Sequence, residues 1–128
     1  MTETALARLY HGYIDCLNRQ GWDRLGDFVR DDVTYNGTRI GLAGYRAMLE
    51  RDFRAIPDLK FRIDCLAADP PLIAARLAFD CTPAGMLFDL PVNGRRVRFA
   101  EHVFYTYVDD RIGQVRSIID TADIARQL

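Results

Sequence analysis

The hydrophobic pattern of the chain changes period near its middle. Leu6, Leu9, Tyr10, Tyr13, Ile14 and Leu17 recur at helical spacing and predict one apolar helix face. Thr2 or Thr4 is placed to cap that helix, and Gly21 ends or interrupts it. Trp22, Leu25, Phe28 and Val29 predict a short second helix closed by Asp31-Asp32. Val33 to Asn36 reads as a brief strand stopped by Gly37. Gly41 to Ile56 predicts a third helix with Leu42, Tyr45, Leu49, Phe53 and Ile56 on one face. Pro57 stops it, because proline cannot donate to the helical ladder and clashes with the preceding turn.

Beyond Pro57 the period becomes two. Leu59, Phe61, Ile63 and Cys65 alternate with Lys60, Arg62 and Asp64, the pattern of a half-buried strand. Asp69-Pro70-Pro71 predicts a turn and Leu72 to Cys81 a strand. Thr82 to Asn93 is irregular yet carries Met86, Leu87, Phe88 and Leu90, and a loop that apolar is expected to cover something, such as a pocket mouth. Arg95 to Val108 and Arg111 to Ile119 predict two longer strands around a tight turn at Asp109-Asp110. Ala122 to Leu128 closes the chain as a helical turn or tail.

Helices first and antiparallel strands after make an α+β layout. A curved antiparallel sheet wrapped over about three N-terminal helices leaves a cone-shaped interior. The long strands carry apolar residues on both parities. Val97, Phe99, Val103 and Tyr105 share one, and Ala100 and Phe104 the other. Two covered faces predict helices on one side and a second subunit on the other, hence a homodimer through the outer sheet face.

Composition narrows the function classes. The chain has 128 residues, 49% hydrophobic and 27% charged, with a net charge of −1, which fits one globular domain spanning residues 1–128. That charge argues against an electrostatically held nucleic-acid surface. No run of 18 apolar residues predicts a membrane span. The first residues carry no basic segment followed by an apolar stretch, so a cytoplasmic location is expected. Cys16, Cys65 and Cys81 are widely spaced and form no metal-like cluster, which reads as reduced, buried thiols. Arg95, Arg96 and Arg98 follow Gly94 as either a phosphate-binding patch or a solvated strand face with ion pairs.

Asp120 follows Ile118-Ile119, and a carboxylate against an apolar wall is a candidate general acid/base. Strand register decides its company. A two-residue turn at Asp109-Asp110 places Phe99 opposite Asp120, with Glu101, Val103 and Tyr105 on its face. A bulge shifts the pairing to Ala100 and brings His102, Phe104 and Thr106 instead. Gln114 and Arg116 accompany Asp120 in both registers. His102 is then a proton partner or a structural histidine. Arg116 is an anion ligand, a pKa-lowering partner or a rim residue. Asn36 binds a carbonyl or caps its turn. Tyr13 is a core residue whose hydroxyl can reach a ligand.

Several short stretches stand in a known order and spacing. They are Phe53 to Leu59 (Phe-Arg-Ala-Ile-Pro-Asp-Leu), Thr82-Pro83-Ala84-Gly85, Pro91-x-x-Gly94-Arg95-Arg96, Asp109-Asp110-Arg111-Ile112, and Asp120 followed by Gln127-Leu128. In these the chain resembles the SnoaL-like polyketide cyclases of the nuclear-transport-factor-2-like, ketosteroid-isomerase-like superfamily. The resemblance implies a cone-shaped α+β barrel and places Asp120 where the cyclases carry their catalytic aspartate. It implies an intramolecular aldol closure of a polyketide ester by general acid/base catalysis, with no metal or cofactor. The ligand it implies is a small apolar or aromatic carbonyl-bearing molecule.

The chain departs from that pattern in places. Pro83 stands where the family has histidine in Gly-Thr-His-x-Gly, and Thr106 where Arg or His is usual. Gln114 and Arg116 replace Glu and Trp. Asp110 replaces a turn glycine, which is expected to disfavour positive φ. Other superfamily members isomerise, dehydrate, hydrolyse epoxides or only bind, and these activities are the alternatives.

Overall fold

The computed structural model describes residues 2–128. Helix α1 spans Glu3–Asn18, and the Thr2 hydroxyl caps it by accepting the Ala5 N–H at 3.0 Å. Its stripe of Leu6, Tyr10, Tyr13, Ile14 and Leu17 is buried. Gly12, on the same helix, admits the Phe28 ring, whose Cε1 would lie 2.9 Å from an added Cβ. A 3-10 helix follows over Trp22–Asp27.

Strand β1 then runs over Val29–Tyr35, four residues earlier than the pattern predicts. Val29 and Val33 are both fully buried, and Asp31 between them points out, so Val29 to Asp32 is strand rather than the end of a helix. The short strand β2 (Thr38–Arg39) pairs back on β1, and helix α2 spans Gly41–Ala55.

The remaining strands are β3 (Arg62–Asp69), β4 (Leu72–Cys81), β5 (Met86–Leu87), β6 (Leu90–Pro91), β7 (Val97–Val108) and β8 (Arg111–Ile119), followed by helix α3 (Thr121–Arg126). One sheet has the order β2-β1-β8-β7-β4-β3. Its neighbours are antiparallel, as expected, except that β1 runs parallel to β8. The predicted loop Thr82 to Asn93 contains a separate hairpin, β5–β6, turning at Phe88 and Asp89.

Two irregularities set which side chains point inward. Pairing shifts between Ile63 and Cys65 on β3. An extra residue reverses the alternation, so Leu66 and Ala68 pack on the core while Cys65 is exposed. Cys16 and Cys81 are buried as expected.

The β7–β8 hairpin has both features that the sequence offered as alternatives. Val108 pairs with Arg111 across the two-residue turn, and a bulge at Gly113 follows, because Tyr107 pairs with Ile112 but Thr106 with Gln114. Asp109 and Asp110 both adopt positive φ, 51° and 64°, against expectation. This is the doubly left-handed turn whose twist matches the strands, and the Arg30 guanidinium holds Asp109 at 3.1 Å.

Candidate functional site

The concave face of the sheet and helix α2 line a mainly apolar, partly open cavity of ≈190 Å³. One stripe of α2 supplies Tyr45, Met48, Leu49 and Asp52, with Ile56 just beyond its end. These positions are three or four residues apart and so share a helix face. Alternate residues of β7 supply Phe99, Glu101 and Tyr105, and β8 supplies Val115 and Ile119. Tyr13 of α1 forms part of the wall, and Leu87 and Phe88 of the β5–β6 hairpin close one side. Phe88 meets Phe99 edge-on at 6.3 Å, and Phe99 stacks on Phe79 at 5.1 Å.

Two carboxyl groups reach this cavity. Glu101 lies mid-strand, opposite Ile119 on β8 and Leu77 on β4. The Ser117 hydroxyl donates a short hydrogen bond to Glu101 Oε2. Burial pushes the Glu101 carboxyl above its ordinary range. The Ser117 bond partly opposes that rise, and the neighbouring charge of Asp52 adds to it. Asp52 sits at the rim, exposed on its outer side, while the apolar atoms around its carboxyl push its pKa up to about 6. The Arg51 charge opposes that shift.

Beside the carboxyls lies a cluster of tyrosines. The Tyr13 and Tyr45 hydroxyls are 2.6 Å apart, and the Tyr10 hydroxyl donates to that of Tyr105 at 3.2 Å. Burial raises all four phenol pKa values well above the ordinary value, so they are neutral donors at working pH. A pair of hydroxyls carries two hydrogens, and the bond between them uses one. The Tyr13–Tyr45 pair therefore keeps an O–H for another acceptor.

The residues singled out from the sequence divide between this cavity and the outside. Tyr13 is in its wall. Asp120 is exposed and does not line it. Asp120 Oδ1 accepts the Asp123 N–H at 3.0 Å as the N-cap of α3. The Asp120 N–H donates to the Ala100 carbonyl at 3.2 Å, which is the bulged register. His102, paired with Ile118, and Arg116, paired with Phe104, are likewise exposed. Gln114 is exposed and accepts a long 3.4 Å hydrogen bond from Thr106 Oγ1.

The bulge at Gly113 is the reason. It turns both Ile112 and Val115 into the core, so Gln114, Arg116 and Ile118 take the outward parity and His102 goes with them. Asn36 is used by the scaffold. Its side chain donates to the Ser117 carbonyl at 3.2 Å and accepts the Ser117 N–H at 2.7 Å. Arg96 of the basic stretch makes two hydrogen bonds of 2.7 Å to Asp80.

Glu101 reaches the pocket as the two-residue-turn register expects, but without Asp120 beside it, whereas Asp52 is a site residue not singled out from the pattern; each leaves a sequence signal. Glu101 is the one acid on the inward parity Val97, Phe99, Glu101, Val103, Tyr105, Tyr107. Asp52 stands three residues after Leu49 and seven after Tyr45, on the apolar stripe of its helix. A lone acid on a core-facing stripe is a buried polar group that needs an explanation. Among the described residues, no group of three or more His, Cys, Asp or Glu is arranged to hold a metal ion. Nor, among the described residues, is any helix long and apolar enough to cross a membrane.

Helices laid over a curved sheet, enclosing an acid-bearing apolar cavity, define a nuclear-transport-factor-2-like α+β barrel. The sequence profile of the SnoaL-like polyketide cyclases matches residues 7–128, and the chain belongs to that family. It is similar to the crystal structure of a SnoaL-like polyketide cyclase from Agrobacterium tumefaciens, with 50% identity and a TM-score of 0.95 over 99% of this chain and 98% of that one. The fold also matches TsrD from Streptomyces laurentii, with 20% identity and a TM-score of 0.86 over 99% of this chain and 96% of that one. No curated protein matches the chain.

Proposed function

We propose that the protein catalyses proton transfer next to a carbonyl of a small apolar molecule, using Glu101 as general acid/base and no cofactor. The observation that carries this reading is the Glu101 carboxyl, held by Ser117 and facing a mainly apolar cavity whose other polar groups are tyrosine hydroxyls and the Asp52 carboxyl. Desolvation raises a carboxyl towards the pH at which it both accepts and returns protons efficiently.

In its ionised form Glu101 takes a proton from the carbon beside the carbonyl. The C–H electron pair moves into the new C=C bond, and the carbonyl π pair moves to oxygen. An O–H of the Tyr13–Tyr45 pair donates to that oxyanion. The enol or enolate then attacks a second carbonyl of the same molecule, which closes a ring in aldol fashion, or, where a C=C adjoins the deprotonated carbon, is reprotonated at the far end of the resulting dienolate, which moves the double bond. Protonated Glu101 returns the proton in either case.

The test is exchange of the proton beside the carbonyl of a bound ketone, followed by NMR in deuterated water. Glu101→Gln should lower the exchange rate by about 100-fold or more, and Asp120→Asn should leave it nearly unchanged. The opposite result would make Asp120 the acid/base, as its position in the family pattern implies. Stoichiometric binding with no exchange above buffer would leave a small-molecule-binding protein.

The outward face of the sheet supports a second proposal. Phe104 and Ile118 are 59% and 74% exposed on adjacent strands, and we propose that a second copy of the chain covers them.

A further inference from the structure

The size of the cavity and the charge of its wall both bear on what it can hold. Its ≈190 Å³ is only modestly larger than the roughly 150 Å³ apolar cavity that holds a benzene molecule. It lies below the roughly 300–1,000 Å³ usual for drug-sized ligands. A space of that size holds a single ring with a short substituent and is too small for the whole of a fused polycyclic skeleton. The residue that sets this limit is Phe88. It sits on the β5–β6 hairpin rather than the main sheet, forms part of the cavity wall, and is 44% exposed on its other side.

The charge limit is equally plain. Every titratable group on the wall is either a neutral phenol or a carboxyl. Asp52 and Glu101 are the carboxyls, and among the described residues no Arg, Lys or His contributes. A carboxylate or phosphate entering this space would lose its hydration and gain no cation. It would also be repelled by either acid in its ionised form. A carbonyl oxygen loses little hydration by comparison and meets the Tyr13–Tyr45 hydroxyls.

We infer that the substrate is an uncharged, single-ring-sized carbonyl compound, with Phe88 setting the size limit and Glu101 and Asp52 excluding anions. This names the substrate class for the proton-transfer reading and rests on it. The inference concerns binding, however, so the two can fail separately.

The experiment is a binding titration at neutral pH with three probes: acetophenone, benzoate and 2-acetylanthracene. Acetophenone should bind the wild type. Benzoate, of nearly the same size, should bind at least about ten-fold more weakly, and Glu101→Gln or Asp52→Asn should narrow that gap. The acetylanthracene should fail to bind the wild type and should bind Phe88→Ala. Phe88→Leu supplies the same comparison with less disturbance of the hairpin.

Equal binding of benzoate and acetophenone, binding of the acetylanthracene to the wild type, or no binding of acetophenone would each overturn the inference. Acetophenone that binds selectively without exchange of its methyl protons would instead overturn the proton-transfer reading and leave the size and charge selection standing.

Discussion

The Ser117 hydroxyl donates to the Glu101 carboxylate across the β7–β8 pair, next to the cavity. Ser117 is itself fixed from its other side, because the Asn36 amide bonds both its N–H and its carbonyl. A residue of the β1–β2 turn thus positions the strand that positions the acid. The hydroxyl favours the ionised form of Glu101 and opposes the rise caused by burial. In Ser117→Ala that opposition disappears, and the Glu101 pKa moves further up. A base works when ionised, so the acidic limb of the kcat/KM profile should shift to higher pH. Ser117→Thr, which keeps the hydroxyl, should restore the limb. A profile unmoved by Ser117→Ala would show that Glu101 is not the group titrating.

Asp52 makes a separate prediction about stability. Its folded pKa, about 6, lies above the ordinary 3.8 because its carboxyl is desolvated. The folded state therefore holds this proton more tightly than the unfolded chain does. The contribution is fully present below about pH 4, is lost as pH rises towards 6, and stays lost above. Asp80 runs the other way: hydrogen bonding to Arg96 lowers its carboxyl to about 2, so its contribution appears as pH rises through the ordinary range. The wild-type curve mixes these effects, and the difference between wild type and Asp52→Asn isolates one. Asp52→Asn should gain in Tm relative to wild type between pH 4 and 6 and hold that gain at pH 7. A constant offset across pH would refute the assignment.

The elements were largely legible because their periods were strong. The α1 stripe, the α2 stripe ended by Pro57, and the β4, β7 and β8 runs all lie where the pattern predicts. The chemistry was less legible, because strand parity depends on events that alternation does not encode. One unpaired residue at Gly113 decides whether Arg116 or Ser117 faces inward; a glycine inside a strand is compatible with a bulge, but alternation alone does not separate a bulge there from one at the Asp109-Asp110 turn. Asp120 reads as strand-terminal and inward for the same reason, although it caps a helix. The β1–β8 pairing was illegible for a different reason. It joins residues some eighty positions apart, and local pattern carries no information about it.

The Asp109-Asp110 turn predicts a gain from substitution. Both residues are held at positive φ, which costs a residue bearing a Cβ roughly 1–2 kcal/mol, less for aspartate than for most. Arg30 forms an ion pair with Asp109, and among the described residues Asp110 forms none. Asp110→Gly removes the Cβ and no ion pair, and the Asp-Gly sequence is favoured in this turn. The variant should be more stable by about 0.5–1 kcal/mol, read as a higher urea midpoint with an unchanged m-value. Asp109→Gly should gain less, because it also loses the Arg30 contact.

The outer sheet face yields the last prediction. Phe104 and Ile118 stand near each other on the antiparallel β7–β8 pair, flanked by His102 and Arg116. Exposed apolar groups clustered on a sheet signal an interface more often than a solvated face. If a second copy covers them, the protein should sediment as a dimer at micromolar concentration. Ile118→Asp should shift it to monomer, because it replaces apolar contact area with a carboxylate that must lose its hydration in the contact. The fold of the variant should survive, since Ile118 is 74% exposed in the single chain and contributes little to the core. Met86→Asp is the control: Met86 is also well exposed, at 59%, but lies on the β5–β6 hairpin away from this face and should leave the dimer intact. A wild type that sediments as a monomer, or an Ile118→Asp variant that remains dimeric, would rule this interface out.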